Sequence, residues 1–146
     1  MPPSADDPSG AGAGDNAAAY APRPGQELAV IAESLYLVNL LLVPGVAFVI
    51  LLVLAWLRLR SAPSLALCHL RQTLSASLWA GGLLLILNGL IIVFGGYTAA
   101  HTWVIAILYF IIGHSTFVIL GVLGLARALA GQKFVYPLVG RACPEQ

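Results

Sequence analysis

Residues 28–59 read LAVIAESLYLVNLLLVPGVAFVILLVLAWLRL, an apolar run broken once, at Pro44-Gly45. As a single α-helix it would be about 48 Å long at about 1.5 Å per residue, well beyond the roughly 30 Å hydrocarbon core of a bilayer. Two readings fit. The run is either one kinked span with an interfacial extension, or a hairpin of two short helices, 27–42 and 46–60, reversing at Val43-Pro44-Gly45. Pro-Gly is a strong turn signal, and proline has no N–H to leave unpaired in an apolar medium. The hairpin is therefore the expected arrangement, with three spans as the alternative.

The rest of the chain extends this reading. Residues 70–94 (LRQTLSASLWAGGLLLILNGLIIVF) and 102–126 (TWVIAILYFIIGHSTFVILGVLGLA) each contain enough apolar residues to cross a membrane, and Arg71 is their one charged residue. Charged residues make up 9% of the sequence and apolar residues 60%, against about 25% charged in ordinary globular chains. The expected fold is an all-α, polytopic membrane helical bundle of four helices at 27–42, 46–60, 69–94 and 101–130. Residues 1–26 are rich in Ala, Gly and Pro without apolar periodicity. A segment of that kind buries too little surface to offset its ordering entropy, so a disordered tail is expected. Residues 131–146 are expected to form a cytoplasmic, interfacial C-terminal tail.

Arg58, Arg60 and Arg71 flank one connection and Arg127, Lys133 and Arg141 follow the last span, whereas the 95–100 loop has no basic residue. Positive residues favour the cytoplasmic side, so the C-terminus is expected there, and the hairpin places the N-terminus beside it. Cys68 and Cys143 fall on that same side and form no Cys-x-x-Cys pair, which points to reduced structural thiols. Trp103 and Tyr97 at one end, with Trp56 and Tyr136 at the other, read as interfacial anchors.

Polar groups within apolar segments carry the functional question. His69, His101 and His114 fall at different depths along their helices, which argues against a haem or zinc site within one chain. No cofactor or metal is expected. His114, in Gly113-His114-Ser115-Thr116, is an intramembrane polar candidate: a hydrogen-bonded packing residue, or a contact on a transport route. Glu33 is the second candidate. It is expected near the cytoplasmic interface, hydrated or, as the favoured reading, paired with Arg58 or Arg60 near the end of the partner arm. Gly121, Gly124, Ala128 and Gly131 lie along one helical face and are expected to pack against another helix, as small residues do in lipid. Ala80-Gly81-Gly82 offers a second thin place.

No phosphate-binding glycine loop, nucleophile elbow, zincin motif or basic nucleic-acid tract is present, and Ser64, Ser75, Ser77 and Ser115 lack an evident base and orienting acid. A catalytic role is not expected, and neither is a nucleic-acid partner.

Several short stretches carry a resemblance: Leu28-Ala29-Val30-Ile31-Ala32, Pro44-Gly45, Trp56-Leu57-Arg58, Cys68-His69-Leu70-Arg71-Gln72-Thr73-Leu74, and Gly131 through Tyr136-Pro137-Leu138. Over about residues 27–141 the chain resembles a group of small bacterial inner-membrane proteins described as similar to the chloroplast inner-envelope import-channel subunit. It departs from them in having Glu33 where His is frequent and Ser75 where Asn is frequent. The resemblance implies four helices, a bacterial inner-membrane location and a role near protein translocation. It marks His69, Arg71, Gln72, Tyr136 and Pro137 as motif positions, whose residue types read as a structural clasp or, alternatively, as contacts for lipid phosphate or a partner. The expected function is a non-enzymatic accessory component of a membrane assembly, in contact with the bilayer and with other subunits or itself. The alternative is a small transporter or channel with His114 lining its route.

Overall fold

A computed structural model describes residues 22–143. Of the tail expected over residues 1–26, only the stretch from Pro22 to Gln26 falls among them. The described chain is all-helical: α1 is Gln26–Leu41, α2 Val46–Arg58, α3 Ser64–Val93 and α4 Ala100–Leu129. Within α4 a π-helical stretch, Tyr109–His114, separates two α-helical parts. The side chains there match the irregularity. Ser115 Oγ donates to Phe110 O at 3.1 Å and Thr116 Oγ1 to Ile112 O at 2.5 Å, drawing on carbonyls of that stretch.

The apolar run 28–59 folds as the hairpin. Gly45 adopts φ 87°, a left-handed conformation that glycine reaches without strain, and its N–H is accepted by Asn39 Oδ1 at 2.9 Å. Chain reversal then lets Leu51 and Ala55 of α2 pack with Ala32 of α1 and Leu70 of α3. The start of α3 lies earlier than the expected residue 69. Pro63 immediately precedes it with φ −56° and accepts the N–H of Leu67 at 2.9 Å, so the helix is running before the apolar stretch begins.

The start of α1, the end of α2, the start of α3 and the end of α4 lie together. A Cβ on Gly25 would touch Pro63 and Ala66, and Gln26 Nε2 donates to Leu129 O at 2.6 Å. All seven Lys and Arg residues belong to this end or to the segments leading from it. The residues just before α1 cap α4: Arg23 donates to Gly131 O at 3.0 Å. Gly131, at φ 65°, closes a Schellman motif in which the Gln132 N–H bonds Arg127 O at 2.8 Å and the Gly131 N–H bonds Ala128 O at 2.9 Å.

α1 is the central helix. It buries Ala29, Ala32, Glu33 and Tyr36, and packs against each of the other three. The core fills only the basic half of the bundle, around Tyr36, Ala76, Phe117, Leu120 and Tyr136. Beyond it α3 and α4 run on with apolar side chains facing outward: Leu85 is 75% exposed, Val93 76% and Ile112 65%. By length and composition both helices can cross a membrane, and only 22% and 17% of their most apolar windows are buried. A core helix of a water-soluble protein buries such residues, because soluble monomers expose apolar patches of only a few hundred Å².

Candidate functional site

The arrangement of polar groups starts from one face of α3. Cys68, His69, Gln72 and Ser75 follow a spacing that lines them up along a helix, and all four are buried. Each engages the tail that follows α4. His69 Nε2 is 2.9 Å from Gln132 O, Ser75 Oγ donates to Val139 O at 2.7 Å, and Cys68 is disulfide-bonded to Cys143, 75 residues on. Gln72 works through both ends of its amide: Nε2 donates to Arg141 O, while Oε1 accepts the N–H of Arg141 at 3.1 Å and of Tyr136 at 3.4 Å. The tail is thus bound to α3 largely through its own backbone, by side chains that imitate strand pairing.

Glu33 closes the arrangement from α1. Its Oε1 is 2.7 Å from His69 Nδ1, and its Oε2 accepts the phenol O–H of Tyr136. Glu33 and His69 have no exposed side-chain surface. Because Gln132 O accepts at Nε2, that nitrogen carries a proton, which leaves one proton to lie between Nδ1 and Glu33. Imidazolium with carboxylate and imidazole with carboxylic acid both leave the pair without net charge. That neutrality makes such a pair tolerable in a dry interior. Burial, then the neighbouring Glu33, raises the Tyr136 phenol above its ordinary value of 10.0, so it remains a donor.

The fourth wall is α4. A Cβ on Gly124 would sit 2.5 Å from Glu33 Oε2 and 2.6 Å from the Tyr136 hydroxyl, and one on Gly121 would sit 2.7 Å from Leu37 and 2.8 Å from Tyr36. Tyr36, in turn, donates to Phe117 O at 3.1 Å. Ala128 packs with Ala29 and Leu65, and Gly131 meets Arg23. The small-residue face of α4 is therefore spent on α1 and the tail.

Several expectations need correction. Glu33 pairs with His69 rather than with Arg58 or Arg60, which are exposed at the end of α2 and on the connection that follows it. The earlier start of α3 is the reason, since it carries His69 more than a turn into the bundle, level with Glu33. Cys68 and Cys143 are joined rather than separate thiols, because the tail folds back to the start of α3. Tyr136 is 1% exposed and is no interfacial anchor, since its hydroxyl is used by Glu33.

Of the motif positions, His69, Gln72 and Tyr136 converge, whereas Arg71 and Pro137 are exposed at the rim. His114 lies elsewhere: ten residues before Gly124, it is about 15 Å away along the helix, and its ring meets that of Phe110 at a tilt of 57° with centroids 5.4 Å apart. Among the described residues no group of three or more His, Cys, Asp or Glu side chains has the arrangement of a metal site. The bond of Ser75 to the tail, the role of the Gln132 carbonyl and the pairing of the two cysteines were not among the expectations. The helical spacing of 68, 69, 72 and 75 was the available signal.

No protein-family model, no curated protein and no solved structure matches this chain.

Proposed function

We propose that the chain is a multi-pass protein of a bacterial inner membrane that serves, without catalysis, as an accessory component of a larger membrane assembly. The observation that carries this reading is the use made of the polar interior. Glu33, His69, Tyr136 and Gln72 satisfy one another and the tail, with Gly124 packed over them, so these groups hold the fold together and none of the four faces a water route. The outward apolar faces of α3 and α4 then supply the surface for lipid and for neighbouring subunits. The resemblance to the import-channel group supports placing that assembly near protein translocation.

The basic end supports a cytoplasmic assignment for both termini, since every Lys and Arg gathers there. A disulfide on that side is a reversible link rather than a permanent staple, as thiols in the cytoplasm are kept reduced. The test is purification of the tagged, full-length protein in a mild detergent from its own host, with mass spectrometry of what co-purifies. A stoichiometric membrane partner supports the accessory reading, and a solitary protein overturns it.

A second reading has one observation behind it: His114 borders an open groove in the middle of the bundle. On that reading the protein is a small transporter. Replacing His114 with Phe would then abolish flux in reconstituted vesicles, and an accessory protein would pass the same substitution with its partner still bound.

A further inference from the structure

Between the α1–α2 turn, the middle of α3 and the π-helical stretch of α4 lies a groove of about 550 Å³, within the roughly 300–1,000 Å³ usual for small-molecule sites. Three features of its wall are independent of one another. Ser77 is 5% exposed, and its hydroxyl is the buried side-chain polar atom without a hydrogen-bond partner among the described residues. Buried hydroxyls are nearly always paired, so this one marks a missing partner. The π-helical stretch brings His114 to the same groove together with the rings of Tyr109 and Phe110, and such stretches concentrate at functional positions. Gly82 thins the wall further, since a Cβ there would meet nothing within 4 Å.

We infer that this groove binds an uncharged, membrane-dissolved carbonyl compound, whose oxygen accepts hydrogen bonds from the Ser77 hydroxyl and the His114 ring N–H. Depth selects against a charged ligand. Ser77 and His114 lie near the midpoints of two 30-residue helices, far from either surface, and no Lys, Arg, Asp or Glu lines the groove. A carbonyl oxygen has two lone pairs and can take both donors at once. The apolar body of the ligand would lie against the aromatic rings, and it would arrive from the bilayer past Leu85, which is 75% exposed. The ring carbonyl of an isoprenoid quinone and the ester carbonyl of a neutral glyceride share this chemistry. The inference does not rest on the accessory role, because Ser77 and His114 take no part in the Glu33–His69–Tyr136 network that carries it.

The test is native mass spectrometry of the full-length protein in detergent micelles, titrated separately with decyl-benzoquinone and with dioctanoylglycerol. A saturable one-to-one adduct with either probe supports the site and names the source of the carbonyl. Ser77→Ala and His114→Phe should each weaken it roughly fivefold, as loss of one neutral hydrogen bond does. Gly82→Leu fills the groove and should abolish binding, whereas Gly89→Leu, on the same helix but outside the groove, should not. If Gly82→Leu fails to fold, the two polar substitutions decide. Absence of saturable binding by both probes, or unchanged binding in Ser77→Ala and His114→Phe, overturns the inference. So does a groove occupied by a second copy, seen as a dimer cross-linked through Gly82→Cys in membranes.

Discussion

Glu33 and His69, 36 residues apart in sequence, face each other at 2.7 Å with neither side chain reached by solvent. The pair sits where α1, α3, α4 and the returning tail meet, so each of these elements feels its loss. Removing one partner of a buried pair leaves the other uncompensated, at a cost of about 3–5 kcal/mol. Glu33→Ala and His69→Ala should each lower stability by about that amount in detergent, and the double substitution should cost much less than their sum. A double-mutant cycle on thermal unfolding measures this, and additive losses would show that the two residues do not interact.

Gly124 should tolerate no side chain. A methyl group there would come within 2.5 Å of Glu33 and 2.6 Å of the Tyr136 hydroxyl, and overpacking of this kind costs about 1–3 kcal/mol. Gly124→Ala is expected to loosen the tail, seen as faster proteolysis after residue 131. Gly81→Ala, with nothing within 4 Å of the new methyl, should be neutral or stabilising by up to about 1 kcal/mol, the gain in helix propensity.

The Tyr136 side chain makes its hydrogen bond to the core through its hydroxyl. Tyr136→Phe keeps the ring in its cluster and deletes the bond to Glu33, a loss of about 1.5–3 kcal/mol where the acceptor is charged. The phenol is raised above its ordinary value of 10.0 by burial and by Glu33. A group raised in this way contributes fully below its unfolded value, and the contribution falls as pH rises beyond it. Wild-type protein should therefore lose stability above about pH 10 through this residue, and Tyr136→Phe should show a smaller alkaline loss.

Leu138 occupies φ 72° while 96% exposed. A bulky side chain in the left-handed region costs about 1–2 kcal/mol, and here it recovers nothing from packing. Leu138→Gly should stabilise the turn by a few tenths to about 1 kcal/mol, offset in part by glycine's greater freedom when unfolded. A stability loss in lipid nanodiscs but not in detergent would instead reveal that Leu138 inserts into the bilayer.

The Cys68–Cys143 bond spans 75 residues, and closing a loop of that size stabilises by about 4.5 kcal/mol on the chain-entropy account. Cys143→Ser should lower the oxidised protein's stability to that of the reduced wild type. Alkylation of thiols in intact cells, before and after a reductant, reports the state of the pair in its own compartment. Labelling of Cys143 without reductant is expected if the basic end faces the cytoplasm, with Cys68, which is buried, labelled once the protein is unfolded.

The reach of the sequence differed from element to element. Pro44-Gly45 announced its turn, because proline fixes φ and has no N–H to donate, glycine reaches a positive φ without strain, and the unbroken run is too long for a single span. The pairing of Glu33 was not legible in the same way. It depends on the register between α1 and α3, which is set by where α3 begins, and Pro63-Ser64 lies outside the apolar run used to place that helix. The tail was the least legible part. Its bonds to Gln72, His69 and Ser75 run through backbone atoms, which every residue possesses.

Run lengths and charge placement, read from sequence alone, determine an all-α chain with two helices able to cross a membrane and its basic residues gathered at one end. These are one-dimensional properties: hydrophobic length is set against bilayer thickness, and charge against the cost of desolvation. Tertiary structure decided which polar groups meet. Glu33 chooses His69 over two arginines, Cys68 finds Cys143, and Ser77 is left facing an open groove. Partners of that kind follow from helix register and from the path of a segment without periodicity, and both are settled only when the whole chain packs.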